Sequence, residues 1–316
     1  MNILVFGKDG QLGKAFQKLF GAMHSPGMQI QYIGRNQCDL SNSDALSHLL
    51  NQAEVDLIIN AAAYTAVDKA ETEVDLAFAI NAKAPELMAG YAVERGATFL
   101  HYSTDYVFDG SKKGFYLEDD ARKPLGIYGK SKAAGEEAIE KAFANSAQGQ
   151  YAILRTSWVY GDGGNFIRTI LRLAKEREEL KVINDQYGVP TSAEWLAQVS
   201  LNLVLDQHDK LRKFASGIYH AVPAGETSWH GLAKLAAQAA IEAGVTLKAQ
   251  PEAIKPILTI EYPLPAPRPV NSRMDTAKLR QALESIGDMS KLQHCQRLWG
   301  DEVKSYVAQL AKDRLI

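Results

Sequence analysis

Cysteine is scarce in this chain, which has only Cys38 and Cys295 among its 316 residues. Two thiols cannot build a disulfide framework or, by themselves, a zinc site, so we expect a reducing, cytoplasmic setting. Positive charge is not in excess either, because the formal net charge is −2 and the isoelectric point is near 6.4. This balance gives no support for a nucleic-acid or membrane partner.

Long apolar runs and internal repeats are also missing from the sequence. No run is apolar over the roughly 20 positions that a bilayer requires, and no period of about 20–50 residues recurs. The chain opens on an apolar run at residues 3–6 with no basic leader, so no signal peptide is expected. A hydrophobic content of 46% and a charged content of 23% are typical of a soluble globular protein with one large or two unequal domains.

The first half of the chain alternates between short apolar runs and helical patterns. Strands are predicted at residues 3–6, 29–34, 55–60, 98–102 and 151–155. Helices are predicted between them at residues 11–19, 43–52, 68–95 (with a break near Asn81) and 130–144. This alternation indicates an α/β fold with a Rossmann-type doubly wound parallel sheet, covered by helices on both faces.

The second half is less regular and predicts a smaller C-terminal substrate-binding lobe. We expect residues 1–162 to form the dinucleotide-binding domain and residues 163–316 to form mostly this lobe, with strands near 181–184 and 217–222 returning to the first domain. Helices are predicted at residues 193–206, 229–243 and 291–311. Residues 251–269 contain six prolines, which predicts an extended segment that wraps the surface or lines a cleft.

A glycine-rich turn follows the first predicted strand and opens the first helix. Its spacing is G-x-x-G-x-x-G, formed by Gly7, Gly10 and Gly13, with Gln11 and Leu12 between the last two glycines. Glycines allow a sharp turn and a close backbone approach to a pyrophosphate, and the helix N-terminus adds free N–H groups. Because the motif lies in the first strand–turn–helix unit, it favours dinucleotide binding over an ordinary glycine turn.

The end of the second predicted strand suggests which dinucleotide binds. NAD-preferring sites place an acid there, whereas this chain has Arg35, which suits a 2′-phosphate and favours NADPH, with NADH still possible. The alternative is that Arg35 is a solvated loop cation. Asp39 and Leu40 are expected near the adenine. The third strand runs into small residues that would leave room for the cofactor, and the residues expected to line it there are Ala62, Ala63, Tyr64 and Thr65.

Tyr128 and Lys132 are four residues apart in a helical pattern, so they share one helix face. A lysine cation beside a phenol is expected to lower the tyrosine pKa and make the phenol a proton donor to a carbonyl oxygen. Alone the spacing is weak, because roughly one Tyr-x-x-x-Lys is expected by chance in such a chain. Ser103 and Thr104 at the end of the fourth predicted strand would bring a hydroxyl to the same edge of the sheet, although such residues are more often local turn formers.

Together these motifs resemble the extended short-chain dehydrogenase/reductase family, and narrower motifs resemble the dTDP-4-dehydrorhamnose reductases within it. The narrower resemblance rests on residues 10–13, 60–68, 101–108, 155–160, 184–191 and 268–272. It implies reduction of the C4 ketone of dTDP-4-dehydro-L-rhamnose by a nicotinamide hydride. It also implies that Tyr128 donates the proton, that Lys132 lowers the Tyr128 pKa and holds the nicotinamide ribose, and that Thr104 binds the reacting oxygen. The implied substrate contacts are Val67, Thr104, Asp105, Tyr106, Tyr128, Trp158, Asn165 and Arg268.

One departure concerns Mg²⁺, which some members of this family bind as dimers through acidic ligands. Ala15 stands where a glutamate is expected, and Glu194 alone is a thin ligand set, so no metal site is predicted. The chain is expected to be a monomer or a homodimer. Two other functions stay open: a nucleotide-sugar epimerase or dehydratase on the same fold, and an NADP-binding regulatory subunit without turnover.

Overall fold

The computed structural model describes residues 1–23, 27–144, 146 and 148–316. The strands are β1 (Asn2–Phe6), β2 (Gln29–Ile33), β3 (Leu57–Asn60), β4 (Thr98–Thr104), β5 (Gln150–Thr156), β6 (Val159–Tyr160), β7 (Leu180–Ile183), β8 (Tyr187–Gly188), β9 (Thr191–Ser192), β10 (Gly217–His220), β11 (Thr227–Ser228) and β12 (Ile254–Ile257). In the first half these bounds confirm the predicted strands to within a few residues.

The helices in the first half follow the predicted alternation. They are α1 (Gln11–Ala22), α2 (Ser43–Gln52), α3 (Val67–Ala70), α4 (Val74–Phe78), α5 (Ala84–Arg95) and α6 (Ile127–Phe143). Those in the second half are α7 (Phe166–Glu176), α8 (Ala193–Val204), α9 (Trp229–Glu242), α10 (Ala277–Glu284), α11 (Met289–Cys295) and α12 (Trp299–Lys312). Among the described residues, no helix combines the length and apolarity needed to cross a bilayer.

The described residues form a main sheet of six parallel strands in the order β10-β5-β4-β3-β1-β2. The order reverses beside β1, and ligands of such sheets bind in the crevice outside the carboxyl ends of the strands at this point. Alternate residues of β1 face opposite layers: Ile3 and Val5 pack with α1 and α8, whereas Leu4 and Phe6 pack with α2 and α5. The predicted Rossmann-type doubly wound sheet is confirmed.

Only one of the two later predicted strands joins the main sheet. The strand predicted near 217–222 joins the main sheet as β10, beside β5. The strand predicted near 181–184 does not: β7 pairs with β12 in a separate two-stranded sheet. That part of the prediction is wrong. The partner strand β12 lies inside the proline-rich segment, where Pro256 occupies a strand position, so the pairing could not be expected from the sequence.

A second apolar cluster joins α7, α9 and α12 with β7 and β12. By contrast, α8 and α10 come after residue 163 but belong to the same apolar cluster as β1, β3 and β4. The division into residues 1–162 and 163–316 stays a prediction. Two segments that were each predicted as one helix form several. Residues 68–95 form α3, α4 and α5, with a π-helical turn at Ala79–Lys83, and residues 291–311 form α11 and α12.

Candidate active site

A cavity of about 690 Å³ opens at the carboxyl edge of the main sheet. Its wall contains nearly all of the residues predicted to bind the cofactor: Gly7, Gly10, Gln11, Leu12, Arg35, Asp39, Leu40, Ala62, Ala63, Tyr64, Thr65, Tyr128 and Lys132. Gly13 is buried behind this wall. The fold therefore brings residues that are more than 100 positions apart in the chain to one crevice.

The glycine turn depends on two close backbone approaches. Gly7 has φ +83°, and a Cβ there would lie 2.7 Å from the backbone nitrogen of Ala62. A Cβ on Gly13 would lie 2.0 Å from the Gly7 carbonyl oxygen. Gly10 caps α1 without a side-chain acceptor, so the positive end of this helix is directed to the cavity mouth. This arrangement suits a pyrophosphate, as predicted.

Two buried polar atoms in the cavity wall also fit a polar ligand. Within the described residues, Gln11 Oε1 and Thr156 Oγ1 have no protein hydrogen-bond partner. Buried polar groups normally have partners, so these atoms are suited to ligand contacts. A clamp holds the wall at Tyr64: the Asn81 amide in the π-helical turn accepts from Tyr64 N at 2.9 Å and donates to Tyr64 O at 3.0 Å.

Arg35 and Asp39 lie together where the cavity meets solvent. Arg35 Nε donates to Asp39 Oδ2 at 3.2 Å, and the Arg35 side chain is 75% exposed. Hydrogen bonds from the backbone and side chain of Ser41 lower the pKa of Asp39. A surface pair of this kind contributes little stability, so Arg35 can exchange Asp39 for another anion at small cost.

Tyr128 lies in the first turn of α6, which begins earlier than predicted, at Ile127. Glu71 caps this start, since the Ile127 backbone N–H donates to Glu71 Oε1 at 2.8 Å. The Tyr128 ring packs edge-on against Tyr106 with centroids 5.4 Å apart. Burial raises the pKa of Tyr128 to about 12, and hydrogen bonding with the Thr104 side chain partly opposes the rise.

The expected lowering of the Tyr128 pKa by Lys132 is wrong in this arrangement. Lys132 is 2% exposed, and its Nζ donates to the Tyr102 carbonyl oxygen at 2.6 Å and lies 3.2 Å from His101 Nε2. Burial lowers the pKa of Lys132 to about 8, against the opposing charge of Glu136. The lysine is therefore held by the sheet, and it is still mostly a cation at pH 7 but loses its charge as the pH rises through about 8.

Thr104 ends β4 and is bonded on both sides. Its hydroxyl donates to Asp105 Oδ1 at 2.9 Å and accepts from the Tyr106 backbone N–H at 3.2 Å. Asp105 is buried, and burial raises its pKa to about 6 even though hydrogen bonds from Ser272 and Thr104 oppose the rise. Asp105 therefore orients Thr104 from beneath the site.

The other predicted substrate residues are less uniform in position. Val67 begins α3, close after the cavity wall residue Thr65. Trp158 has φ +49° and stacks on Trp229 with centroids 3.7 Å apart, which makes an aromatic surface after β5. Its left-handed backbone is uncommon for a bulky residue and is a mark of functional sites.

Asn165 and Arg268 are engaged by the protein itself. Asn165 caps α7 through Arg168 N, and its amide donates to the Gly161 carbonyl and to the Tyr306 hydroxyl. Arg268 Nη2 lies 2.9 Å from each carboxylate oxygen of Asp68. The structure does not bring either residue into the cavity wall, so their predicted substrate contacts stay predictions.

Sequence reasoning missed a buried polar group behind Lys132. Asn60 and His101 are both fully buried; Asn60 ends β3, and His101 lies beside it in the middle of β4. It also missed Asp68, the partner of Arg268, and Trp229, the partner of Trp158. Asn60 and His101 are the first residues of two motifs in the sequence, 60–68 and 101–108. Their contact depends on the pairing of β3 with β4, which the sequence alone does not show.

A larger cavity of about 1090 Å³ lies between α1, α8 and α11, away from the catalytic residues. Ala15 and Glu194 both line it, and Glu194 pairs with Lys18 at 2.6 Å. In the described part of the chain, no cluster of three or more His, Cys, Asp or Glu residues could hold a metal ion.

A dinucleotide-type cavity beside a tyrosine, a lysine one helical turn later and a strand-end threonine defines an oxidoreductase of the short-chain dehydrogenase/reductase class. The family described as RmlD substrate binding domain matches residues 1–304. The dTDP-4-dehydrorhamnose reductase of Shigella flexneri is 44% identical over 283 residues, covering 89% of this chain and 91% of that protein. The chain belongs to this reductase family.

Further relatives agree in sequence and in structure. The dTDP-4-dehydrorhamnose reductase of Escherichia coli K12 is 43% identical over 286 residues, 89% of this chain and 91% of that protein. The crystal structure of a Clostridium acetobutylicum dTDP-4-dehydrorhamnose reductase superposes with a TM-score of 0.83 at 34% identity, covering 98% of this chain and 99% of that chain. The Bacillus anthracis enzyme, solved in complex with NADP, gives a TM-score of 0.79 at 30% identity, covering 98% and 99% of the two chains.

Proposed function

We propose that this protein reduces the C4 ketone of dTDP-4-dehydro-L-rhamnose to the alcohol of dTDP-L-rhamnose, with NADPH as the reductant. The observation that carries the proposal is the meeting of Tyr128, Lys132 and the dinucleotide cavity wall at one edge of the sheet. Membership in a family whose relatives bear this activity in their names supports the substrate. The NADP complex of the Bacillus anthracis relative supports the cofactor.

The cofactor, when bound, supplies the hydride, and the protein supplies position and a proton. Gly7, Gly10 and the start of α1 would hold the pyrophosphate, Arg35 the 2′-phosphate, and Lys132 the nicotinamide ribose. Tyr128 keeps its proton until the ketone carbon is reduced, because its pKa of about 12 leaves the phenol neutral at working pH. The alkoxide that forms at C4 is a much stronger base than a phenolate, so the proton passes from Tyr128 to the C4 oxygen.

Thr104 positions the Tyr128 hydroxyl, with which its side chain shares a hydrogen bond. The Thr104 proton goes to Asp105, so Thr104 would bind the C4 oxygen, as predicted, by turning this proton from Asp105 to the substrate. The Tyr106 ring restrains Tyr128 from the opposite side. The Trp158–Trp229 stack offers an aromatic face for the sugar nucleotide.

The proposal contains no Mg²⁺, since Ala15 brings no oxygen ligand and Glu194 is neutralised by Lys18. It needs no nucleic-acid or membrane partner, and both a monomer and a homodimer satisfy it. We place the activity in the cytoplasm, where a nucleotide-sugar biosynthetic enzyme meets its substrates.

The test follows NADPH absorbance with dTDP-4-dehydrorhamnose. Wild-type protein should consume NADPH, and Tyr128→Phe should lower kcat by roughly 10²–10⁴-fold with NADPH binding retained, because only the positioned proton is lost. Tyr151→Phe, at the opposite end of the sheet, is the matched control and should keep full activity. If saturating substrate gave no decay in wild type, the protein would be an NADP-binding regulatory subunit instead. Turnover of an unreduced nucleotide sugar with no net redox change would indicate an epimerase or dehydratase.

A further inference from the structure

Asn60 and His101 form a buried polar connection that ends at Lys132. The two residues are paired in the register of β3 and β4, and both are fully buried. The amide nitrogen of Asn60 lies 3.1 Å from His101 Nδ1, and His101 Nε2 lies 3.2 Å from Lys132 Nζ. Neither residue reaches the cavity wall, so any effect of the two on the site passes through Lys132.

The direction of these hydrogen bonds follows from one backbone group. The Ala62 N–H donates to Asn60 Oδ1 at 3.2 Å, so the Asn60 NH₂ group must face His101 and donate to Nδ1. Burial and the neighbouring Lys132 charge hold the pKa of His101 well below its usual range, so the ring is neutral. A neutral imidazole carries one N–H, and here it is on Nε2.

This tautomer has a consequence for Lys132. An ammonium group has only donors, so His101 Nε2–H and a charged Lys132 oppose each other at 3.2 Å, whereas a neutral amine accepts the bond. The opposite tautomer would set Nδ1–H against the Asn60 NH₂. Protonating Lys132 therefore sacrifices one buried hydrogen bond in either case, while the bond to Tyr102 O is available in both states.

Other titratable groups near Lys132 also bear on its protonation. Glu136, one turn further along α6, raises the Lys132 pKa, but Glu136 is shared with Arg155 of β5 and with Arg122. Tyr128 lies on the same helix and Asp105 follows β4; both groups are held neutral by burial below about pH 6, and Asp105 ionises above it. His101 is thus the contact that discriminates between the two states of the amine by direct hydrogen bonding.

We propose that Asn60 and His101 are positioning residues that stabilise the neutral amine of Lys132 and so assist the return of a proton to Tyr128. After Tyr128 gives its proton to the C4 oxygen, the Lys132 ammonium gives a proton to the phenolate through water in the cleft, because the contacts of its Nζ are with Tyr102 and His101. The neutral amine that remains accepts the His101 Nε2–H bond, and then takes a proton from water. This account rests on the proposed function for its last step only.

The first experiment is independent of turnover. Protein labelled with ¹⁵N at histidine is titrated by NMR from about pH 6 to about pH 9, and His101 is assigned by comparison with His101→Gln. We expect a protonated Nε2, an unprotonated Nδ1 and no titration of the ring. A protonated Nδ1, or a ring that titrates in this range, overturns the proposal even if the enzyme is fully active.

The second experiment links the tautomer to Lys132. Asn60→Asp places a carboxylate opposite Nδ1, which reverses the tautomer so that Nε2 accepts from the ammonium. The alkaline limb of the kcat–pH profile should move upward by at least about one pH unit, a tenfold change in proton concentration. In the double variant Asn60→Asp/His101→Leu no side chain at position 101 can accept from the ammonium, and most of this movement should disappear. If the alkaline limb moved equally in the double variant, the charge introduced by Asn60→Asp would alone raise the Lys132 pKa without the His101 tautomer, which would contradict the proposal.

A further variant covers the case in which Asn60→Asp does not fold. The His101→Gln amide can turn its carbonyl oxygen to the ammonium, so the alkaline limb should again move upward while the KM for NADPH stays within about twofold. A lower kcat with an unmoved pH profile would make His101 a structural residue only and would overturn the proposal. If no variant and no wild type reduces the substrate, the proposed function fails while the NMR result still decides the tautomer.

Discussion

Asp105 is a carboxyl group buried beside the reacting hydroxyl, and its pKa rises from 3.8 to about 6, chiefly through burial. The folded protein therefore binds this proton more tightly than the unfolded chain. The corresponding stability is complete below about pH 4 and is lost as the pH rises through about 6, which amounts to about 3 kcal/mol. Asp105→Asn removes the charge but keeps an oxygen to accept from Thr104. We expect the variant to be more stable than wild type by up to about 3 kcal/mol at pH ~8, and little changed at pH ~4.

Urea unfolding at both pH values measures this difference. Asp109→Asn is the matched control in the same loop, because hydrogen bonding to Ser111 lowers the pKa of Asp109. Its stability contribution has the opposite sign: it is present at high pH and lost in acid. If Asp105→Asn is less stable than wild type at pH ~8, burial does not disfavour the ionised carboxylate of Asp105, and the prediction is wrong.

Arg35 offers a second prediction for a single residue. If its guanidinium leaves Asp39 for a 2′-phosphate, Arg35→Ala should weaken NADPH binding by about 10–100-fold and NADH binding hardly at all. Asp39→Asn, which removes both the competing partner and a negative charge, should tighten NADPH. Fluorescence titration with each cofactor gives the dissociation constants. If Arg35→Ala weakened the binding of NADPH and NADH equally, Arg35 would have no role at the 2′-phosphate and would be a solvated loop cation.

Single-residue roles could be predicted from the sequence where a motif has a fixed spacing, as for Gly7, Gly10 and Gly13. Tyr128 and Lys132 fell on one helix face for the same reason. The pKa of Tyr128 could not be predicted, because burial outweighed the expected effect of a nearby cation. Asn60, His101 and Asp68 were missed since their partners come from other strands or from 200 residues away.

At the scale of elements, α6 presents Tyr128, Lys132 and Glu136 on one face at four-residue steps. Glu136 is fully buried and accepts two bonds from Arg155, at 2.9 and 2.7 Å, plus one from Arg122 at 2.6 Å. These bonds attach the middle of α6 to β5 and so fix the height of Tyr128 above the sheet edge. The ion pair is a local determinant of the geometry of the site.

Arg155→Met should therefore destabilise the protein by about 3–5 kcal/mol, because it leaves a buried carboxylate with Arg122 alone. Adding Glu136→Leu should recover most of the loss, since two apolar side chains of similar volume replace the pair. Thermal and urea unfolding of the single and double variants test this. A double variant no more stable than Arg155→Met would show that packing around the pair, rather than the unpaired charge, limits stability.

The elements themselves were predictable where apolar periodicity is strong, as in β1 to β5. Predictions failed where tertiary contacts decide. The sequence predicts a break near Asn81 but not its form: Asn81 lies within the Ala79–Lys83 π-helical turn, where its amide bonds Tyr64 and Ser131, and no local pattern records these contacts. Likewise β7 pairs with a strand containing Pro256, which the composition of residues 251–269 argued against.

For the whole molecule, the contact between Asp68 and Arg268 connects α3 to the end of the proline-rich segment. Arg268 donates to both Asp68 oxygens at 2.9 Å and to the Ala266 carbonyl, while the Ala266 N–H donates back to Asp68. The Arg268 side chain is 15% exposed and that of Asp68 is 41% exposed. The end of the segment is thus attached to α3, beside Val67, by an ion pair in which one guanidinium nitrogen meets both carboxylate oxygens.

This contact separates two roles for Arg268. If it holds the segment, Asp68→Ala and Arg268→Ala should raise the KM for the nucleotide sugar by similar factors, about 5–10-fold, with NADPH binding unchanged. The double variant should then be little worse than either single variant, because both remove the same contact. If Arg268 is instead the predicted substrate contact and binds the diphosphate, Asp68→Ala frees the guanidinium and should lower the KM, while Arg268→Ala raises it. We expect the first pattern, since Arg268 already donates to both oxygens of Asp68 and to the Ala266 carbonyl, and a diphosphate would have to approach the carboxylate of Asp68.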